Sequence, residues 1–510
     1  MQESRLNNAG RNMVFGMLLR GYQIIMPFIM RTVILMYMGI QYLGLNSLFG
    51  SVLFVLNLAE LGVGSAMVYS MYQPIIDGNK AEICALVKLY RKYYRIIGLV
   101  IAVVGSVLTP FIPYIIKGSV PDDINIYIVY LLNLFCTVMS YWLFAYKNSL
   151  LVAHQRNDVA SKVMLVTNTA QYLVQFLIVI FFRDYYLYLI AAIVTQIITN
   201  VVTAFFVKKM YPEYNPEGEL PKERIHAING RIKDLFLMKF GVVVVSSADS
   251  IVISAFLGLA MVGIYNNYYY VLTAVFGIVK VVFDSCTAGI GNSILVEGKE
   301  KNYSDLKKLT FMVMWLTGFC SICLLILFQP FMKLWVGVDY MLGMGSVVCL
   351  VLYFYVDRMM QLLITYKDAA GIWHTDRFRP LVTALVNLVM NIILVQVMGI
   401  NGVMLSTVLS ILLVGMPWLL YNLFTELFDR NAREYVMSLL VYTVVTVAVA
   451  FGCLFVAGFI PSGLPGIVDL CLRGVVCVVL ANGLYIAVYC KTKAFDETKQ
   501  IVKRILKRGN

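Results

Sequence analysis

Two arginines stand first among the residues able to do chemistry in this chain. Arg20 and Arg31 lie eleven positions apart within one long apolar stretch, close to three helical turns, so a helix places both on one face. Gln23 lies near that face, and Pro27 between them is placed to kink the helix. Two guanidinium groups along a wall suit a phosphate or carboxylate, which arginine grips through parallel hydrogen bonds. For Arg20 the alternative is that its long stem carries the charge to the membrane boundary.

The other ionisable residues within apolar stretches follow the same logic, because a charge at bilayer depth costs about 2.5–3.5 kcal/mol or more and needs a partner or a cavity. Glu60, in NLAELGVGSA, sits among small residues that permit close helix approach. It is placed to pair with Arg31, the reading preferred here, or to exchange a proton or sodium ion. Asp249 lies in SSADSIVIS. Lys280 and Asp284 are an i,i+4 pair on one helix face, which suits either local neutralisation or ligand binding. Asp357 and Arg358 are adjacent and diverge around a helix, with Arg358 directed to a cavity and Asp357 to a separate partner. The substrate-binding candidates are therefore Arg31, Arg20, Lys280 and Arg358. Glu60, Asp249, Asp284 and Asp357 are candidates for ion coupling or charge pairing. The two signs nearly balance, so counting alone does not define a cationic cavity.

No catalytic constellation accompanies them. The sequence lacks a GxxxxGK[ST] phosphate loop, and its three histidines have no metal-ligand spacing. Cys320 and Cys323 form a CxxC inside an apolar run, without the second pair a zinc site needs. The remaining cysteines read as buried free thiols. No cofactor or metal is expected beyond a coupling ion, H+ or Na+.

The elements that position these residues are membrane helices. Of 510 residues, 60% are hydrophobic and 14% charged, and the mean hydropathy is +0.81. A soluble domain is usually about 25% charged. The net charge of +13 falls in short clusters between apolar runs, the pattern of topology signals rather than of a nucleic-acid module. Apolar runs of spanning length occupy 12–39, 46–74, 94–117, 124–146, 159–182, 185–207, 235–258, 263–290, 309–332, 344–366, 379–399, 402–425, 436–459 and 468–490. That predicts about fourteen transmembrane helices in an all-α polytopic protein. The first run carries Arg20 and Arg31 and no small-residue cleavage pattern, so it reads as a retained helix.

Basic residues set the orientation. Of the 41 lysines and arginines, Lys117, Arg183 and Lys333 alone fall in loops or at run edges on one side; six lie well inside the apolar runs (Arg20, Arg31, Lys239, Lys280, Arg358 and Arg473) and the rest are in loops or at run edges on the other side. The positive-inside rule makes that richer side, with both termini, cytoplasmic. The tail 491–510 reads as a basic amphipathic helix able to lie on an anionic leaflet, or as an ordinary positive tail.

The halves repeat. Gly39 and Gly44 in GIQYLGLNS correspond to Gly258 and Gly263 in GLAMVGIYN, a shift of 219; Tyr146-Lys147 and His154 correspond to Tyr366-Lys367 and His374, a shift of 220. An even number of helices per copy gives a parallel repeat related by a pseudo-two-fold axis along the membrane normal. His154 and His374 then read as loop-structural rather than proton-carrying. The predicted organisation is an N-terminal lobe (1–207), a hinge-like connector (208–234), a C-terminal lobe (235–425), two further helices (426–490) and the basic tail (491–510).

Two six-helix repeats followed by two helices resemble the fourteen-helix branch of the multidrug/oligosaccharidyl-lipid/polysaccharide exporter superfamily. The stretches RTVILMYMGIQYLGLNSLFGSVLFVLNLAELGVGSAMVYSMYQPI, AYKNSLLVAHQR and LGLAMVGIYNNY are similar to bacterial polysaccharide flippases of the O-antigen and capsule type. The resemblance spans most of residues 10–425. It implies a V-shaped two-lobed fold in the bacterial cytoplasmic membrane. It also implies alternating access and ion-gradient-coupled flipping of an undecaprenyl-diphosphate-linked oligosaccharide for surface polysaccharide biosynthesis. Cavity cations such as Arg31 would neutralise the diphosphate, and the last two helices would form a lateral groove for the lipid tail. Implied partners are the lipid-linked oligosaccharide, membrane lipid, a polysaccharide polymerase and glycosyltransferases, with no nucleic acid. A flippase for the lipid-linked peptidoglycan precursor is the neighbouring alternative. A drug/cation antiporter of the same superfamily is disfavoured by the helix number and the paired arginines, and a polymerase by the short outer loops.

Overall fold

The computed structural model describes residues 2–60, 62–461 and 463–499. Every described element is helical. Two compact units divide the chain at Gly263 and Ile264.

The first unit opens with α1 (Gln2–Tyr37), which stays helical through Pro27. The second apolar run, expected as one span, is broken. It folds as α2 (Ile40–Leu56), a single 3-10 turn over Asn57–Glu60, and α3 (Val63–Ile76), with Gly62 in the left-handed region before α3. Glu60 thus lies at the break. Then come α4 (Lys80–Leu108), α5 (Ile126–Trp142), the short α6 (Asn148–Ala153), α7 (Asn157–Leu177), α8 (Tyr185–Met210) and α9 (Lys222–Leu257). Side chains cap these helices where orphan N–H groups need acceptors. Asn79 accepts from Glu82 N at 3.1 Å, and Asp184 from Tyr186 N at 2.7 Å. The core of the unit gathers Phe49, Met67, Tyr90, Tyr130 and Leu150 from five helices.

The segment read as a connector over 208–234 is shorter than expected. Helix α9 begins at Lys222, leaving a loop of 211–221. That loop is folded against α4: Cys84 Sγ donates to the Glu213 carbonyl at 3.5 Å and Lys88 pairs with Glu219 at 3.7 Å, while Arg224 in the first turn of α9 pairs with Glu82 at 3.3 Å. Helix α9 in turn packs on α2 and α3. The packing boundary at 263/264 therefore falls one helix beyond the expected connector.

The second unit comprises α10 (Leu259–Val296, most of its length), α11 (Lys299–Trp335), α12 (Met344–Ala369), α13 (Arg379–Met398), α14 (Ile400–Ser410), α15 (Met416–Leu423), α16 (Arg433–Ala457), α17 (Gly466–Val476) and α18 (Asn482–Tyr489). Helices α14 and α15 are joined through a π turn at Ile411–Gly415, as α17 and α18 are through Cys477–Ala481. Phe311, Ile322, Cys453, Cys477 and Tyr485 pack α11 against α16 to α18. Cys323 of the CxxC faces Cys477 in that layer. The start of the tail, through Ala494 and Phe495, leans on the same cluster; residues 500–510 lie outside the described residues.

Among the described residues, twelve helices are long and apolar enough to cross a membrane, and the bent pair Ile126–Trp142 and Ala145–Ala153 makes thirteen. The two predicted spans absent from those twelve are that bent one and the broken second one. Large apolar side chains cover the outer surface: Phe181 is 74% exposed, Val397 78% and Phe455 70%. Such a surface is stable only in lipid, and the chain is a multi-pass membrane protein.

Candidate functional site

The break in the second span creates the best-defined polar site of the first unit. With the helical ladder interrupted, Glu60 is drawn into a ring of tyrosines rather than toward α1. Tyr94 donates to Glu60 Oε1 at 2.7 Å and Tyr141 to Oε2 at 3.0 Å. Tyr90 donates to the Tyr94 hydroxyl at 2.8 Å, and Tyr141 is also 3.2 Å from Asn57 Oδ1. The expected Glu60–Arg31 ion pair is thus replaced by hydrogen bonds to phenols. Tyrosine has a hydroxyl donor and a large apolar body, so it satisfies a carboxylate in an apolar setting without importing a charge.

Tyr94 also lines a chamber of about 270 Å³ between α7 and α8. Its polar wall is made of amides and hydroxyls, Asn168 and Gln171 from α7 and Thr195, Gln196, Thr199 and Asn200 from α8, and Phe144, Ala160 and Met164 add apolar lining. Thr199 bonds Thr167 at 2.8 Å, and Asn200 reaches the Ser140 carbonyl at 3.2 Å. These residues were not singled out from sequence, although their i, i+3, i+4 recurrence inside apolar runs was a readable signal. The chamber offers neutral oxygen ligands and is linked to the Glu60 carboxylate through the Tyr94 hydroxyl, a set suited to a proton or a small cation.

Arg20 is exposed on α1 and has no ionic partner among the described residues. Arg31 is half-buried, within electrostatic reach of Tyr188 on α8. Asp249, on α9, is half-buried and engaged with neighbouring groups, as Arg31 is.

In the second unit Lys280 and Asp284 pair with each other at 3.1 Å, and both are more than half exposed. This is the local neutralisation their spacing allows. Asp357 and Arg358 depart from expectation. They do not diverge: Arg358 Nε donates to Asp357 Oδ2 at 3.0 Å, and the guanidinium lies 4.4 Å from the ring centre of Phe276. With Arg358 only 8% exposed, folding back onto the neighbouring carboxylate neutralises the charge and stacks it on an aromatic face. Arg358 is thus a packed group rather than a wall of open space.

Sequence reasoning also missed an amide–hydroxyl network between α13 and α14. Asn387 and Asn391 are fully buried; Asn387 Nδ2 donates to Thr407 Oγ1 at 3.0 Å, and Ser406 binds Asn391. Gly402 allows this approach, since a Cβ there would overlap the Leu394 carbonyl.

A groove of about 280 Å³ runs between α11, α12 and α16, lined by Leu325, Val348, Val351, Val447 and Phe451. It shares Leu325, Met344 and Leu454 with a second cleft of about 600 Å³ that holds Gln329, Lys333, Asp469 and Arg473. Arg473 is bound to Asp469 at 2.8 Å, whereas Lys333 has no carboxylate partner among the described residues. An apolar trough therefore opens into a polar, partly cationic pocket.

Solved structures share this fold. The chain matches the lipid II flippase MurJ in an inward closed conformation with a TM-score of 0.69 and 14% identity, over 94% of this chain and 99% of that one. It matches an inward-facing multidrug resistance MATE family transporter of the MOP superfamily with a TM-score of 0.61 and 13% identity, over 77% and 92%. A mutant form of the Vibrio cholerae MATE transporter VcmN gives 0.51 and 13%, over 82% and 100%. No family model matches the sequence, and no curated protein does. At these identities the likeness is one of fold.

Proposed function

We propose that this protein is a flippase that carries a polyprenyl-diphosphate-linked oligosaccharide across the bacterial cytoplasmic membrane by alternating access, in the service of surface polysaccharide assembly. The observation that carries this reading is the apolar groove of α11, α12 and α16 opening into the pocket of Lys333 and Arg473. A long hydrocarbon tail beside a charged head matches that sequence of surfaces, whereas a compact drug cation does not. Coverage points the same way: the match to the lipid II flippase takes in 94% of the chain, that to the first MATE transporter 77%.

In this reading Arg31 and Arg20 bind the diphosphate during transfer. Glu60, with Tyr94 and the chamber between α7 and α8, takes the coupling H+ or Na+. No bond is made or broken, so no catalytic residue is required. Polymerase and glycosyltransferase partners would consume and supply the substrate. The excess of lysine and arginine on one side supports a cytoplasmic position for both termini. The same fold match favours a second reading, a lipid-linked peptidoglycan precursor as cargo.

Reconstituted proteoliposomes test both. A fluorescent undecaprenyl-diphosphate oligosaccharide should become accessible on the opposite leaflet in a gradient-dependent manner, and Arg31→Ala should abolish this with the protein still folded. Transport of the peptidoglycan precursor alone would select the second reading. Transport of neither lipid would remove both.

A further inference from the structure

A separate basic site lies in the first unit, where the 211–221 loop folds onto the start of α4. We propose that this cleft binds the phosphate headgroup of an anionic membrane lipid, independently of any transported substrate. It has a volume of about 680 Å³ and is lined by Lys88, Arg91, Lys92 and Arg95 from α4, with Lys222 at the start of α9. At 100° per residue, the four α4 cations fall within an arc of about 100° over two turns. They form one face rather than a scattered surface charge.

The acids nearby are already used. Glu219, the one carboxylate in the wall, pairs with Lys88, and Glu82 pairs with Arg224. The first pair ties the loop to α4, and the second ties the first turn of α9 to α4. Arg91, Lys92, Arg95 and Lys222 have no carboxylate partner among the described residues. Lys147 and Lys208 add to the crowding, Lys147 lying within electrostatic reach of both Lys208 and Arg91. Holding these like charges together costs stability that a bound dianion or diester would return. Guanidinium groups one turn apart suit phosphate oxygens.

Position decides for a lipid over a free anion. Leu89, Ile96 and Ile225 form part of the same cleft wall. Directly beyond Arg95, the exposed residues Ile96, Leu99 and Val103 continue along the adjoining face of α4. The cations therefore stand where a lipid-facing stripe meets water, at headgroup depth, and a lipid seated there meets both surfaces. The 211–221 loop encloses the headgroup side, which a bare positive-inside helix end would not do.

The test uses the full-length protein in neutral detergent, with binding of single lipids followed by native mass spectrometry. Dioleoyl-phosphatidylglycerol, dioleoyl-phosphatidylcholine and inorganic pyrophosphate are the three probes. Arg91→Gln/Arg95→Gln is compared with the parent and with Lys299→Gln, which neutralises a surface cation of the second unit. Circular dichroism and size exclusion verify that each variant is folded. Phosphatidylglycerol should bind the parent and Lys299→Gln alike, and the double variant roughly tenfold more weakly, from about a fivefold loss per neutralised cation moderated by the charges that remain. Rising salt should weaken the parent's binding. A double variant that binds phosphatidylglycerol as the parent does overturns the proposal. So does phosphatidylcholine binding as tightly, or pyrophosphate alone binding as well as the lipid. Because the readout is lipid occupancy, loss of transport has no bearing on the outcome.

Discussion

Gly44 and Gly263 make the same contact from opposite sides. A Cβ on Gly44 would overlap the carbonyl of Leu259, and one on Gly263 would lie 2.6 Å from the carbonyl oxygen of Ile40. Ile40 and Leu259 are separated by the same 219 positions as the two glycines. The repeat thus preserves a reciprocal crossing at which α2 and the first turn of α10 touch backbone to backbone. Gly39 and Gly258, also 219 apart, both have positive φ, 108° and 91°, and set the direction of entry into each helix. Small residues at such a crossing supply van der Waals contact where lipid offers no hydrophobic driving force.

The first prediction concerns that crossing. Gly44→Ala should destabilise the protein by about 1–3 kcal/mol, because backbone on the far side cannot yield as a side chain would. Gly50→Ala, on the same helix with nothing within 4 Å of the added atom, should be neutral or slightly stabilising through helix propensity. Thermal unfolding in detergent compares the two. Equal shifts would mean that the crossing carries no stability.

The repeat and the helical segments were legible because they rest on periodicity and spacing, which are local. The polar sites were legible only in part. Glu60 announced itself as a charge in an apolar run, but its partners Tyr94 and Tyr141 are 34 and 81 residues away, and tyrosine in an apolar helix carries no mark of its target. Arg358 failed for a different reason. Helix geometry directs adjacent Cβ atoms apart, yet the long arginine stem bends back to Asp357 once the surroundings exclude water. The Asn387–Thr407 network needs two helices to be paired before its four residues belong together. The pinning of the 211–221 loop likewise depends on pairs, such as Lys88 with Glu219, that are far apart in sequence.

The Asp357–Arg358 pair predicts strong coupling. Arg358→Gln leaves a mostly buried carboxylate without its partner, and Asp357→Asn leaves a guanidinium that is 8% exposed without its counter-ion. Each should cost about 3 kcal/mol. The double variant should cost clearly less than the sum, since it removes both charges. A double-mutant cycle on thermal or denaturant unfolding measures this. Additive effects would show that the two side chains do not act as a pair.

Glu60 separates structure from coupling. In Glu60→Gln, the amide oxygen still accepts from one tyrosine, and the amide nitrogen donates to the other hydroxyl, which retains Asn57 as acceptor. The stability loss should be about 1 kcal/mol. Gradient-driven transport should nonetheless lose its response to the coupling ion, while downhill exchange of the lipid substrate continues. Proteoliposomes with imposed pH or sodium gradients provide the measurement. A Glu60→Gln protein that keeps full gradient dependence would place coupling elsewhere.

His154 predicts a specific acid sensitivity. It closes α6 with Nδ1 2.9 Å from the Leu150 carbonyl, and its ring lies 4.3 Å from that of Tyr211 and 5.6 Å from that of Tyr214, so it fastens the 211–221 loop. Burial pushes its pKa below the usual histidine value; the Leu150 bond and the Glu213 charge oppose this only in part. The folded state therefore holds a neutral imidazole at pH values where the unfolded chain has begun to bind a proton. The unfolded state binds more protons between the two pKa values, so stability falls as pH drops below about 6.5 and stops falling once the folded imidazole also protonates. His154→Phe keeps a ring between the tyrosines and removes the proton site. Between pH 7.5 and 5.5 the unfolding temperature of the parent should fall more than that of His154→Phe, although the variant starts lower for want of the Leu150 hydrogen bond. Parallel pH profiles would mean that the His154 proton is not linked to folding.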